Sequence, residues 1–184
     1  MRTGIEAILA RTDDVLVVAA SSGEPHEVEH TLYRTAPDVV IVEDAARGIG
    51  GVGLVRLIKA QPPAPRVVVY ADGVDATLVA TAMLAGADAL VDSRGEAGEL
   101  VAAVRSAARG RALFPELDVA TRADLASRLP REDRPILRMH FAALSAREIA
   151  RTLRVDVRTL RARVTAIIEQ LRGVGGGTPS AASG

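Results

Sequence analysis

Arginine crowds the stretch SAREIARTLRVDVRTLRARV, from Ser145 to Val164, at positions 147, 151, 154, 158, 161 and 163. Guanidinium groups at that density suit the neutralisation of a phosphate backbone and the reading of guanine edges. Three other groups of residues could in principle do chemistry. His26–His30 reads HEVEH, the spacing at which two histidines of one helix hold a catalytic zinc and Glu27 acts as base. Asp13 and Asp14 form one acidic pair, and Glu43 and Asp44 another. Gly48–Gly53, GIGGVG, is glycine-rich but lacks the Lys-Ser/Thr that closes a phosphate-binding loop.

Most of this chemistry fails on context. In HEVEH the buried stripe of the helix is Val28 and Leu32, which turns His26 and His30 toward solvent. His140, the only other histidine, is remote in sequence, and a zinc site needs a third ligand and a sheltered cavity. The reading is a solvated helix face, with no metal. GIGGVG is read as a tight or mobile loop rather than a nucleotide site. The chain has no cysteine, so disulfides, thiolate catalysis and zinc fingers are excluded. No catalytic constellation remains. The expectation is a protein that is not an enzyme and needs no cofactor.

The elements that position the arginines follow from periodicity. In Ser145–Val164 the positions Ile149, Ala150, Leu153, Val155, Leu160 and Val164 fall where two short crossing helices touch, and Ala150 lets the backbones approach. Upstream, Ile5, Ile8 and Leu9 have helical spacing, and Val15–Ala20 is an apolar run of strand length. A helix is expected to open at Pro25, followed by strand DVVIVE at 38–43, a helix over Val52–Ala60 and strand Arg66–Tyr70. A helix over Ala76–Ala85, strand Ala89–Val91 and a helix over Glu96–Ala108 complete the alternation. Continuous Val and Ile runs indicate parallel strands covered on both faces. The fold class expected is therefore α/β, a doubly wound parallel sheet followed by an all-α helix-turn-helix domain.

Net charge divides the chain in the same way. Residues 1–121 carry 11 basic and 17 acidic side chains, net −6, and residues 122–184 carry 12 and 6, net +6. Only the second part is suited to phosphates. The expected organisation is 1–112 α/β, 113–129 a linker helix, 130–172 the helix-turn-helix domain and 173–184 a disordered Gly/Ser tail. No apolar run reaches the roughly 20 residues that span a bilayer, and no signal peptide opens the chain, so a cytoplasmic protein away from membranes is expected.

The arginine-rich segment resembles the helix-turn-helix of LuxR-type transcription regulators at Ser145, Glu148, Ile149, Ala150, Leu153, Val155, Thr159 and Val164. It departs at the turn glycine, which is Arg154, and at a histidine, which is Arg163. LPREDRPILRMHF just upstream is similar also to the promoter-reading region of sigma factors. Either resemblance implies double-stranded DNA as partner. The resemblance places base contacts on Arg161, Ala162 and Thr165, and phosphate contacts on Arg147, Arg151, Arg158, Thr159 and Arg163. The recognition helix is expected from about Val157 to Leu171, capped by Asp156.

PDVVIVED, PRVVVYAD and AGADALVDS give the first 112 residues a resemblance to the receiver domain of two-component response regulators. In that family an Asp accepts phosphoryl, an acidic pair holds Mg²⁺, and a hydroxyl and a Lys complete the site. Here the acceptor position falls on Glu43, the hydroxyl on Ala71 and the Lys on Ser93, so the site is degenerate. Asp13 and Asp14 precede their strand and do not replace the acidic pair, since ligand sites form at the carboxyl ends of strands. The first receiver strand has no counterpart. Either the unit has lost it or it lies upstream of Met1. If it is lost, Val15–Ala20 is expected to pair directly with Val39–Glu43 in a four-stranded sheet, or a partner chain fills the gap.

Together these readings point to a DNA-binding transcription regulator, expected to be a homodimer, with a phosphorylation-independent pseudo-receiver. A small-molecule or protein effector stays open. So do two alternatives: a phosphorylation-switched regulator whose first strand is missing from this chain, and a protein- or ligand-binding module that does not bind DNA.

Overall fold

A computed structural model describes residues 2–45 and 49–174. The elements in order are α1 (Arg2–Leu9), α2 (Pro25–Thr35), β1 (Val39–Glu43), α3 (Gly50–Ala60), β2 (Arg66–Ala71), α4 (Ala76–Ala85), β3 (Ala89–Asp92), α5 (Ala97–Ala108), α6 (Val119–Ser127), α7 (Arg134–Phe141), α8 (Ala146–Leu153) and α9 (Val157–Val174). Packing divides the chain into Met1–Val74 with Ala85–Pro115, and Asp75–Leu84 with Glu116–Gly184. This differs from a single cut near residue 112, because α4 groups, all but Ala85, with the second unit.

The first unit holds a parallel sheet in the order β1-β2-β3, in register from Val39 opposite Arg66 and from Val68 opposite Ala89. Val67, Val68 and Val69 are fully buried, as a parallel strand covered on both faces requires. Leu9 of α1 and Leu100, Ala103, Val104 and Ala107 of α5 pack with Val68, Ala89 and Val91 in one apolar cluster. Asp88 ties the amino ends of the strands together. It accepts from the Val67 amide at 2.8 Å and from Arg66 at 2.9 Å, and it pairs with Lys59.

Four expectations are corrected here. Val15–Ala20 forms no strand, so among the described residues no fourth strand joins β1 and the direct pairing does not occur. The premise was that an unfilled gap would bury unsatisfied backbone. Instead the segment lies open to solvent, with Leu16 83% exposed, so water can satisfy its groups. Second, glycines 50, 51 and 53 of the expected loop lie inside α3. A Cβ at Gly51 would sit 2.5 Å from the Asp44 Cα, so glycine is needed for the helix start to pass strand end β1. Third, the linker helix is only Val119–Ser127, and Leu113 instead bridges Ala89 in parallel. Last, the expected tail at 173 begins in helix, because α9 runs to Val174; residues 175–184 lie outside the described residues, as does Gly48.

The second unit is helical. Leu125 of α6, Ile136 and Leu137 of α7, Ile149 of α8, and Leu160, Ile167 and Leu171 of α9 are buried to 2% exposure or less. Arg122 stacks over the Phe141 ring at 5.7 Å, joining α6 to α7.

Candidate nucleic-acid interface

Helix α8 begins because Ser145 and Glu148 cap it reciprocally. The Ser145 hydroxyl accepts from the Glu148 amide at 3.3 Å, and the Glu148 carboxylate accepts from the Ser145 amide at 2.8 Å. The Ser145 hydroxyl, which also donates to the Glu148 carboxylate at 2.6 Å, and then the Ser145 amide hold the Glu148 carboxyl below the usual carboxylate range. The helix ends at Arg154 in the left-handed region, φ 54° and ψ 40°, where the Val155 amide reaches back to the Ala150 carbonyl at 3.0 Å. The chain then turns into α9, whose first turn is capped by Asp156: its carboxylate accepts from the Thr159 amide at 2.8 Å and from the Thr159 hydroxyl at 2.7 Å. The same bonds lower the Asp156 pKa. Apolar contact between Ile149 and Ala150 of α8 and Leu160 and Val164 of α9 closes the pair, all four being buried.

This packing sorts the candidate residues. Arg147, Arg151, Arg154, Arg158, Arg161 and Ala162 are exposed, and no ion pair among the described residues involves those arginines. Thr165 is half-buried, with its hydroxyl donating to the Arg161 carbonyl at 2.8 Å. The Thr159 hydroxyl serves the cap. Arg163 departs most from its assignment to phosphate. Its Nε and Nη2 donate to Asp133 at 2.9 and 2.6 Å, and Nη2 also reaches the Glu132 carbonyl. Sequence spacing along α9 put Arg163 on the solvent side; its partner, 30 residues earlier, was invisible to that spacing.

The carboxyl edge of the sheet brings together the three positions that the sequence reading assigned to a degenerate receiver site. Glu43 ends β1 opposite Tyr70, Ala71 ends β2, and the Ser93 amide donates to the Ala71 carbonyl at 2.7 Å. Two residues missed by the sequence reading dominate this edge. Asp92 accepts from Arg94 at 2.7 Å and from the Gly73 amide at 3.2 Å, and the Arg94 guanidinium holds its carboxyl far below the usual range. That cation is therefore engaged by a neighbouring carboxylate. Asp44 presents one buried carboxylate oxygen, Oδ1, with no hydrogen-bond partner. His26 and His30 are exposed on α2, as expected, and the described residues contain no cluster of three ligating side chains. No helix among the described residues is long and apolar enough to cross a membrane.

Similarity to known proteins follows the same two parts. The chain is 27% identical over 180 residues to the response regulator protein VraR of Staphylococcus aureus, covering 93% of this chain and 85% of that one. In fold it matches RcsB of Salmonella enterica serovar Typhimurium bound to promoter rprA, with a TM-score of 0.59 at 19% identity over 94% of this chain and 93% of that one. A LuxR-family two-component response regulator from Aurantimonas sp. SI85-9A1 gives a TM-score of 0.58 at 24% identity, over 68% and 87%. No family model matches. Response-regulator homologues thus cover most of the chain, and the fold is the α/β receiver type with a helical helix-turn-helix part.

Proposed function

We propose, from homology to LuxR-type response regulators along most of the chain, that this protein is a transcription regulator that binds duplex DNA through α8 and α9. The observation that carries the reading is the capped, tightly packed helix pair whose Arg147, Arg151, Arg158 and Arg161 stay exposed and outside any ion pair among the described residues. Arg161 and Ala162, on the exposed N-terminal half of α9, enter the groove with Thr165 beside them. Arg147, Arg151 and Arg158 contact phosphate, with Thr159 secondary because its hydroxyl is shared with Asp156. Arg163 is assigned to the Asp133 tie.

The protein acts as a homodimer in the cytoplasm, with residues 1–112 as a receiver-like part that takes no phosphoryl group. At the positions of acceptor, hydroxyl and Lys that edge carries Glu43, Ala71 and Ser93, and Arg94 is held by Asp92. The test is binding to duplex DNA as a function of salt. Three arginine–phosphate contacts in each protomer, six in the dimer, give a slope of about −5 to −6 in log affinity against log salt. Arg161→Ala should cost about 1–3 kcal/mol of discrimination at one base pair. Unchanged affinity and sequence preference in that variant would exclude the proposed docking, and no affinity for any duplex would favour an acidic protein as the partner of these helices.

A further inference from the structure

Arg154 ends α8 in the left-handed region, φ 54°, where a Cβ carries a steric cost that glycine avoids. The backbone there is held twice: the Arg154 amide donates to the Arg151 carbonyl at 3.2 Å, and the Val155 amide to the Ala150 carbonyl at 3.0 Å. The turn therefore imposes the conformation, whatever the side chain. Among the described residues positive φ occurs at five glycines, at Ala36, at Ala143 and at Arg154. Alanine meets the cost with the smallest side chain that has a Cβ, whereas arginine adds a long one. The Arg154 guanidinium makes no hydrogen bond or ion pair among the described residues. Asp156, the nearest carboxylate in sequence, is engaged by Thr159. A neutral Gly or Asn would end the helix at lower cost.

Charge supplies a reason for arginine. Arg151 lies three residues before it and Arg158 four after, both exposed and outside any ion pair among the described residues. Three unneutralised guanidiniums on one short stretch repel one another in the free protein, and a polyanion relieves that repulsion. We propose that Arg154 is a further phosphate contact, seated on the turn between α8 and α9 and joining the contacts of Arg151 and Arg158 along the DNA backbone. The inference rests on the DNA-binding function proposed above. The contact is to sugar-phosphate and carries no base information. Arg154 thus lowers stability through its backbone and raises affinity through its charge.

The experiment uses the full chain and a duplex that the parent selects from a random pool, with affinity read by fluorescence anisotropy across salt concentrations. With Arg154 the dimer makes eight phosphate contacts rather than six, and the slope of log affinity against log salt is about −7. Arg154→Gly should bring the slope to about −5 to −6 and weaken binding at low salt about tenfold or more, while its urea midpoint rises. Arg154→Asn, which tolerates the same backbone conformation, should follow Arg154→Gly, and Arg154→Lys should keep the parent slope. A cation that served only the carbonyl end of α8 would change stability and leave the slope alone. Arg111→Gln removes an exposed charge outside α8 and α9 and should alter neither slope nor affinity. Preference at the base pair read by Arg161 should stay intact in every variant. The proposal is overturned by a slope that Arg154→Gly leaves as in the parent, an outcome that keeps DNA binding through the other arginines. An equal fall in slope for Arg111→Gln also overturns it, since net charge is then the cause. So does loss of base preference in Arg154→Gly and Arg154→Asn, which would mean that residue 154 acts by orienting α9. A parent chain with no affinity for any duplex removes both this proposal and the DNA-binding function.

Discussion

Arg163 of α9 and Asp133, the residue before α7, form an ion pair in which Nε and Nη2 both donate to the single carboxylate oxygen Oδ1, at 2.9 and 2.6 Å, both side chains largely shielded from solvent. The pair fixes the long helix to the segment preceding α7 at the point where Val164 enters the core. Geometry of this kind specifies orientation as well as energy. Arg163→Ala should therefore lower stability by about 1.5–3 kcal/mol in urea denaturation. The salt slope of DNA binding should stay as in the parent chain. A slope smaller by about one unit per protomer would return Arg163 to the phosphate contacts.

Arg154 holds a left-handed conformation that glycine adopts without steric cost. Arg154→Gly should stabilise the second unit by up to about 1 kcal/mol, and Arg154→Val should destabilise it by more than that, because a β-branched side chain clashes most at positive φ. Urea midpoints of the two variants, which should move in opposite directions, check this.

The reciprocal cap at Ser145 and Glu148 makes stability pH-dependent. The folded Glu148 pKa lies below its ordinary value of 4.5, so the unfolded chain takes up the proton first on acidification. The contribution is complete above pH 4.5 and is lost as pH falls through the folded pKa. Glu148→Gln should flatten the stability profile below pH 4.5, and Ser145→Ala should cost about 0.5–2 kcal/mol at neutral pH. Parallel profiles for the parent and Glu148→Gln would contradict the role of the carboxylate.

His140 carries the corresponding effect at higher pH. Burial holds its pKa below 6.5, while Nδ1 lies 2.9 Å from the Ile136 carbonyl. The unfolded state is again the better proton acceptor, so stability falls as pH drops from 6.5 toward the folded pKa. Denaturation midpoints between pH 7 and 5 should show this decline in the parent chain and a shallower one in His140→Gln.

Acyl-phosphate donors should leave the intact mass unchanged, because Glu43, Ala71 and Ser93 are the side chains at the sheet edge and Asp92 occupies Arg94. A stoichiometric gain of one phosphoryl group would overturn the phosphorylation-independent reading, and tryptic mapping would show whether Asp44 or another carboxylate had taken it.

Local signals were legible in the sequence wherever one segment contains its own explanation. Pro25 opens α2, Ser145 and Glu148 open α8, Asp156 opens α9, and the Val runs at 39–42 and 67–69 form strands. Caps act within four residues and helix periodicity within a few turns, so no distant partner has to be known. The helix pair and its exposed arginines follow from the same short-range information, whereas the positions Glu43, Ala71 and Ser93 were singled out by the resemblance to receiver domains.

Pairing over long sequence separations was decided by the tertiary structure. Val15–Ala20 has the composition of a buried strand, but a strand exists only when a neighbour accepts its backbone bonds, and here the edge of β1 stays out of its reach. Arg163 looks like a phosphate ligand until α9 is packed and Asp133 arrives beside it. Asp92 likewise receives the Gly73 amide, 19 residues earlier, only when β2 and β3 lie side by side. Composition tells which side chains can bond or bury; only the packed chain tells which bonding partners come within about 3 Å, and that distance sets each residue's role.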